Sequence, residues 1–403
     1  MKIKEKFARP GARTGILART RNIKMAQSSH AYVRGNTVKF YEWLKALKRG
    51  MLPDGPPVWI CGDCHVGNLG PLASATGRIE IQIRDLDQTV IGNPAHDLIR
   101  LGLSLASAAR GSDLPGLTTA GMLEELMNGY EKAFESDFHE DSDIEQPASV
   151  RQVTKEASAA SWGTLATERI KDTSPTIPLG RRFWPLSKQE KQEIGRLFAD
   201  EEMRKLATVL RSRPDSADVK LVDAAYWMKG CSSLGRLRYA ALLEIGGKTG
   251  KRPDYCLMDL KEAAQTAAPR AAHVRMPSDH AERVLEGARH LSPYLGKRMR
   301  AIKFMNKSVF VRELLPQDLK LEVEQLTRQE ALNVARYLAA MVGKAHSRQV
   351  DAGVREKWRR DLHSNRSKLL DAPNWLWTSV VELLAGHERA YLEHCRAHAA
   401  EMA

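Results

Sequence analysis

VWICGDCHVGNLG (residues 58–70), followed by RIEIQIRDLDQT (78–89), decides how this chain is read. In the first stretch a short apolar run stops at a Gly-rich polar turn. In the second, Ile79, Ile81 and Ile83 alternate onto one face, as in a half-buried strand. The pair reads as strand, loop, strand. Arg84 breaks the alternation, and Asp85 and Asp87, two apart, fall on one side of an extended chain. Gly92-Asn93-Pro94 then opens HDLIRLGLSLASAAR (96–110), where Leu98, Leu101 and Leu105 have the spacing of a helix packed on those strands.

Carboxylates and an amide in this arrangement suit phosphoryl transfer, which needs a group to orient the attacking hydroxyl and oxygen ligands that hold Mg2+ against phosphates. Asp63 and Asn68 share one tight loop, and Asp85 stands on the next strand. Mg2+ keeps water and phosphate oxygens for most of its shell, so two protein oxygens suffice. Asp87 is read as a ligand of a second ion or a support for the first. His65 belongs to the same catalytic loop and reads as its hydrogen-bonding brace rather than its base. The competing reading of Asp63 and Asn68 is that they are turn formers.

Farther along, AAYWMKG, GRLRYAALLEI and YCLMDLKEA read as an antiparallel sheet of about three strands from Ala224 onward, with FVREL (310–314) a fourth. A kinase-like nucleotide lobe needs a Gly-rich hairpin, then a strand Lys for the α- and β-phosphates, then a helix carboxylate to hold that Lys. Gly230, Ser232, Ser233 and Gly235 in GCSSLG, Lys261, and Glu282 or Glu286 in ERVLEGARHL follow that order. Glu313 would lie at the hinge near the adenine, and Arg34 would contact phosphate or make an ordinary salt bridge. Gly246-Gly247-Lys248-Thr249 is a turn and not a phosphate loop, because Leu242 stands where that pattern requires Gly.

The string Asp63-x-His65-x-x-Asn68, then Asp85 with Gly92-Asn93-Pro94-x-x-Asp97, resembles the motif of aminoglycoside and choline phosphotransferases. The resemblance implies a catalytic base at Asp63, metal ligands at Asn68 and Asp85, and a structural Asp at Asp97. Cys61 replaces the usual His and Asn93 an Asp. Nearly the whole chain is similar to the bacterial family called domain of unknown function 2252, through KMAQSSHAYVRGN (24–36), GDCHVGNLG, RDLDQT, GCSSLGRLRY (230–239), DLKEA (259–263) and FVREL. That family is regarded as kinase-like. The fold expected is α+β, a two-lobed protein-kinase-like architecture in circularly permuted order, since the Gly-rich hairpin follows the catalytic loop instead of preceding it. The expected division is a basic arm (1–24), the catalytic loop and metal site (25–110), helices of the large lobe (111–219), a nucleotide-binding small lobe (220–325) and C-terminal helices of the large lobe (326–403).

Composition agrees with an enzyme that handles anions. The 403 residues carry 62 Lys+Arg against 49 Asp+Glu, a net charge of +13, with 43% hydrophobic residues. Such a chain has the apolar content for a core, which excludes general disorder, and its longest uncharged apolar stretch is too short to span a membrane. No secretory apolar run follows the basic start, and five scattered Cys suit a reducing compartment, so a cytoplasmic protein is expected. Cys61 and Cys64 lack a second ligand pair for zinc. REKWRRDLHSNRSK (355–368) reads as a solvated basic helix face or, less favoured, a nucleic-acid surface around Trp358. The function expected is ATP- and Mg2+-dependent phosphotransfer to a hydroxyl of a small acceptor. A nucleotide-binding pseudokinase, a kinase-like enzyme that transfers AMP, and more weakly a basic nucleic-acid-binding protein are the alternatives.

Overall fold

The structure, a computed structural model, describes residues 8–111, 116–159, 176–230, 234–246, 254–315, 326–364 and 372–402. The stretch read as a basic arm is, from Arg13 on, the helix α1 (Arg13–Ala26). It is anchored by a buried ion pair, Arg13 Nη1 to Glu190 Oε1 at 2.6 Å. Ser28 and Asn36 cap α2 (Ser29–Gly35) and α3 (Thr37–Ala46) by accepting from the backbone N–H of Ala31 and Lys39. Two antiparallel ribbons follow: β1 (Val58–Ile60) pairs with β4 (Val90–Gly92), and β2 (Leu69–Ala73) with β3 (Ile79–Ile83). Residues 61–68 link the first ribbon to the second. Next come α4 (Ala95–Gly111), which buries Leu98, Leu101 and Leu105 as their spacing predicts, and α5 (Gly116–Lys132).

Beyond the short strand β5 (Phe183–Trp184), α6 (Lys188–Ala199) opens with the reciprocal Ser187–Glu190 capping box, and α7 (Glu201–Ala207) follows directly. The six-stranded antiparallel sheet is then completed by β6 (Val219–Trp227), β7 (Arg238–Ile245) and β8 (Asp254–Glu262). The helix α8 (His280–Leu291) and the hairpin β9 (Met299–Phe304) and β10 (Lys307–Leu314) come after them. Strand order is β5-β6-β7-β8-β10-β9, so the chain leaves the sheet after β8, passes through α8 and returns beside β8 with β10. Met305 and Asn306 both have positive φ, 47° and 60°, which gives the β9–β10 hairpin its two-residue turn. The sheet thus has six strands where the sequence suggested four. The four helices α9 (Arg328–Ser347), α10 (Ala352–Ser364), α11 (Asn374–Ala397) and a last turn at Ala399–Met402 end the chain.

Apolar packing forms two main cores. The larger joins the ribbons to α4, α5, α9, α11 and one side of α8. The other lies between one face of the six-stranded sheet and α6 and α7. The architecture is α+β. Among the described residues no helix is long and apolar enough to cross a membrane. Trp358 of α10 is buried and donates to the Tyr130 hydroxyl at 3.4 Å, so the basic segment turns its aromatic side chain inward. Residues 365–368 of that segment, and Gly247, Lys248 and Thr249 of the stretch read as a turn, lie outside the described residues.

Contact between α5 and α9 depends on glycine. A Cβ at Gly129 would meet the Arg336 carbonyl oxygen at 2.0 Å, and one at Gly343 would meet the Tyr130 carbonyl oxygen at 2.8 Å. The Gly129→Ala variant is expected to force the helices apart and lower stability by about 1–3 kcal/mol in urea unfolding, since overpacking shifts backbone. An unchanged midpoint would show that the helices can separate freely.

Candidate functional site

The loop after β1 is held from below by α4. Asp97, in the first turn of that helix, accepts from the backbone N–H of Cys61 at 2.7 Å and of Gly62 at 2.9 Å. Gly62 has φ +72°, and a Cβ there would meet the Gln88 carbonyl oxygen at 2.2 Å, so this turn admits only glycine. Asn93 caps α4 by accepting from Ala95 N–H, which an Asp would do equally well and which explains why its amide is tolerated. Asp63 is buried. Its Oδ1 accepts from Arg100 Nε at 2.8 Å and its Oδ2 from the Thr37 hydroxyl at 2.9 Å. Asn68 donates to the Asp63 carbonyl oxygen at 2.9 Å, which closes the loop across its two site residues. Sequence reasoning missed Arg100 and Thr37. A charged residue inside the apolar run DLIRLGL was the available signal, because a buried guanidinium requires a partner.

Lys261 comes from the opposite side. Its ammonium is almost fully buried and lies 3.1 Å from Asp85 Oδ1 and 2.7 Å from Asp87 Oδ2. Burial alone would raise the Asp85 carboxyl, but Lys261, then Arg312 and Arg238, overcome it and hold that carboxyl well below the usual carboxylate range. Asp87 moves the other way: burial, then the neighbouring Asp85 charge, raise it against the pull of Lys261. A small cavity of about 30 Å3 is lined by Asp63, Asn68, Asp85, Asp87, Gln88 and Arg236. Asp87 Oδ1 is buried there without a hydrogen-bond partner. Among the described residues there is no cluster of three or more His, Cys, Asp or Glu that could hold a metal ion. The cavity's oxygen groups include Asn68, Asp85 and the unpartnered Asp87 oxygen, donors of the type that Mg2+ takes when it keeps water for most of its shell.

Two expectations are corrected by α8. Glu282 is exposed, and Glu286 lies 3.2 Å from Arg289, so neither helix carboxylate holds Lys261. Ala281, Val284, Leu285 and Ala288 occupy the inner face, which turns positions 282 and 286 outward. The inward charge is Arg283, which donates to the carbonyls of Asp87, Thr89 and Ala264 and so ties the helix to the segment bearing the carboxylates. Glu313 is corrected too. It pairs across the sheet with Met258, placing it on the face away from Lys261, where its carboxylate meets Arg213 at 2.8 Å.

On the Lys261 face, buried Asp259 takes a bidentate bond from Arg238 at 2.9 and 2.6 Å and a longer one from Arg312 Nε at 3.3 Å. Gly230 and Gly235, at the ends of the β6–β7 connection, have φ +92° and +101°, while Ser232 and Ser233 lie outside the described residues. Arg34 packs on Gly67, where a Cβ would meet its Nη2 at 2.6 Å. Burial, then Arg34 and Arg100, keep the His65 imidazole well below its usual range and so neutral at pH 7, and its Nδ1 has no partner. A second cavity, of about 620 Å3, opens beside Asn68 and Asp85 between α2 and the sheet.

A family model described as "Uncharacterized protein conserved in bacteria (DUF2252)" matches residues 13–397, and the chain belongs to that family. No curated protein and no solved structure matches it.

The Asp259 cluster has a measurable signature. Removing its carboxylate leaves two guanidinium groups facing each other, and Asp259→Ala is expected to cost about 3–5 kcal/mol in denaturant unfolding at pH 7. Burial opposes ionisation of Asp259, but Arg238 and Arg312 win and depress its carboxyl. A depressed carboxyl contributes stability above its unfolded value near ~3.9, and that stability drains away as pH falls further. The wild type should therefore lose stability below about pH 4 more steeply than Asp259→Ala. Equal acid slopes would mean that Asp259 is not ionised in the folded protein.

Proposed function

We propose that this member of the family is an ATP- and Mg2+-dependent phosphotransferase with a permuted, two-lobed protein-kinase-like fold, acting on a hydroxyl of a small acceptor. The observation that carries the reading is the meeting of Lys261 with Asp85 and Asp87 beside Asn68 and Asp63, groups brought together from opposite parts of the chain. The order β6, glycine-bounded connection, β7, Lys261 on β8, then α8 is the order of a kinase small lobe, and it supports assigning residues 220–325 to that lobe. Residues 25–110, with helices from 111–219 and 326–403, would make the larger one.

On this reading Asp63 orients the acceptor hydroxyl. Arg100 and Thr37 fix both of its oxygens, which aims the group. A loose phosphoryl-transfer transition state asks for positioning more than for a strong base. Asn68 and Asp85, with Asp87, would hold Mg2+, which supplies positive charge against the phosphates. Lys261 neutralises the two carboxylates in the absence of that charge and would turn to the α- and β-phosphates when nucleotide binds. Asp87 would do for Lys261 what a helix carboxylate does in ordinary kinases. His65, whose Nδ1 makes none of the bracing hydrogen bonds the sequence suggested, would offer a hydrogen bond to a ligand without contributing charge.

Two substitutions test these roles. Asp63→Asn keeps partners for Arg100 and Thr37, so Mg·ATP affinity should stay within about threefold while transfer falls at least ~100-fold. Transfer that survives would remove Asp63 from the chemistry. Asp85→Asn should abolish the part of ATP affinity that depends on Mg2+, measured by calorimetric titration with and without the metal. Retained Mg2+ dependence would place the ion elsewhere.

A further inference from the structure

The charged groups that line the 620 Å3 cavity beside Asn68 and Asp85 are almost all positive. Seven of its lining residues are Lys or Arg, and Asp85, already engaged by Lys261, is its one carboxylate. The cations converge from separate elements: Arg34 from α2, Arg84 after β3, Arg182 before β5, Lys229 after β6, Arg238 from β7 and Arg312 from β10. Arg238 and Arg312 share the single carboxylate of Asp259 beneath them, so that cluster keeps a net positive charge. Lys229 lies 4.2 Å from the centre of the Trp227 ring. Burial, then Arg238, push its ammonium down to about 7, with Arg312 and Arg84 adding to the effect and Asp259 opposing it. Trp227, the aromatic side chain of the cavity wall, has Phe183 stacked on its ring at 5.5 Å, and Lys229 and Arg238 stand 4.2 and 5.0 Å from its ring centre, so among the described residues the ring is already engaged by an aromatic neighbour and by cations.

A purine needs apolar walls, whereas converging guanidinium and ammonium groups recognise phosphate oxygens through charge-assisted bonds. We propose that this cavity is a polyphosphate site, continuous with the metal pair through Asn68 and Asp85, that takes a chain of phosphate groups instead of the nucleotide base. The inference deepens the phosphotransferase reading and rests on it only for the reaction that follows binding. Two sources could supply the chain. If it is the nucleotide's own triphosphate, the acceptor oxygen bonds to the γ-phosphorus, ADP leaves with the electron pair of the broken P–O bond, and the hydroxyl proton passes to solvent by way of Asp63. If it belongs to a phosphorylated acceptor, the acceptor hydroxyl attacks the γ-phosphorus and ADP leaves.

The test is calorimetric titration of the full chain with inorganic tripolyphosphate and, separately, adenosine, both without Mg2+. Variants are Lys229→Gln with Arg182→Gln, at half-buried and exposed positions, and Asp85→Asn. Tripolyphosphate should bind the wild type at least tenfold tighter than adenosine does, and roughly tenfold or more weaker to the double variant, since two charge-assisted contacts are lost. Asp85→Asn should retain tripolyphosphate binding. Adenosine binding as tightly as tripolyphosphate, or a double variant that melts normally and binds tripolyphosphate unchanged, would overturn the proposal. Tripolyphosphate binding without ATP turnover would leave the site standing and defeat the phosphotransferase reading. Turnover without tripolyphosphate binding would do the reverse. Displacement of Mg·ATP by tripolyphosphate identifies the nucleotide's own triphosphate as the occupant, and simultaneous binding of both identifies the phosphates of an acceptor; either result supports the site.

Discussion

Everything at this site depends on one buried ammonium. Lys261 sits on a strand with apolar neighbours, where a charged Lys is tolerated only against carboxylates, and the two that satisfy it are 176 and 174 residues earlier in the chain. The segment carrying Asp85 and Asp87 must therefore lie against β8, and the neighbouring contacts reinforce that demand. Arg312 donates to the Arg84 carbonyl, Arg283 to the Asp87 carbonyl, and Thr266 to the Gln88 carbonyl. Lys261, Arg312, Arg283 and Thr266, four side chains from the later half of the chain, thus grip five residues between Arg84 and Thr89 of the earlier half. The same contacts that join the ribbons to the sheet bring the carboxylates together, so integrity of the fold and assembly of the site are one requirement.

Charge is distributed unevenly across this junction. On one side, around the small cavity, carboxylates outnumber cations and an oxygen of Asp87 is left over. On the other, cations outnumber carboxylates in the cavity wall, and Lys229 is pressed toward its neutral form. A divalent cation relieves the first side and an anionic chain the second. Ligands that carry both, a metal bound to phosphates, satisfy the whole junction at once, which is why the proposed chemistry and the proposed polyphosphate site follow from a single electrostatic pattern.

Features governed by local rules were legible in the amino-acid sequence. The Ser187–Glu190 capping box, the Ile79–Ile83 alternation and the face of α4 all depend on residues within a few positions of one another. Long-range pairings were not legible. Arg100 with Asp63, and Asp259 with Arg238 and Arg312, join residues from separate elements, and only their oddity as charges inside apolar patterns marked them. Strands β5 and β9 escaped notice because the first has two residues and the second carries Arg300 and Lys303 on a short strand. The outward rotation of Glu282 and Glu286 could have been read from Ala281, Val284, Leu285 and Ala288, whose helical spacing already defined the buried face. Glu313 was misplaced for a related reason: proximity to a hinge says nothing about which face of a strand a side chain takes, and that is settled by alternation from Arg312, which faces Asp259.

The central claim is that the junction around Lys261 binds nucleotide through Mg2+, and thermal melting tests it without knowledge of the acceptor. Ligand that binds the folded state raises Tm by mass action. The account predicts that millimolar ATP with Mg2+ raises the Tm of the wild-type chain well beyond ATP alone, and that Lys261→Met loses the increment. No rise at millimolar Mg·ATP, or an equal rise in the absence of the metal, would contradict it.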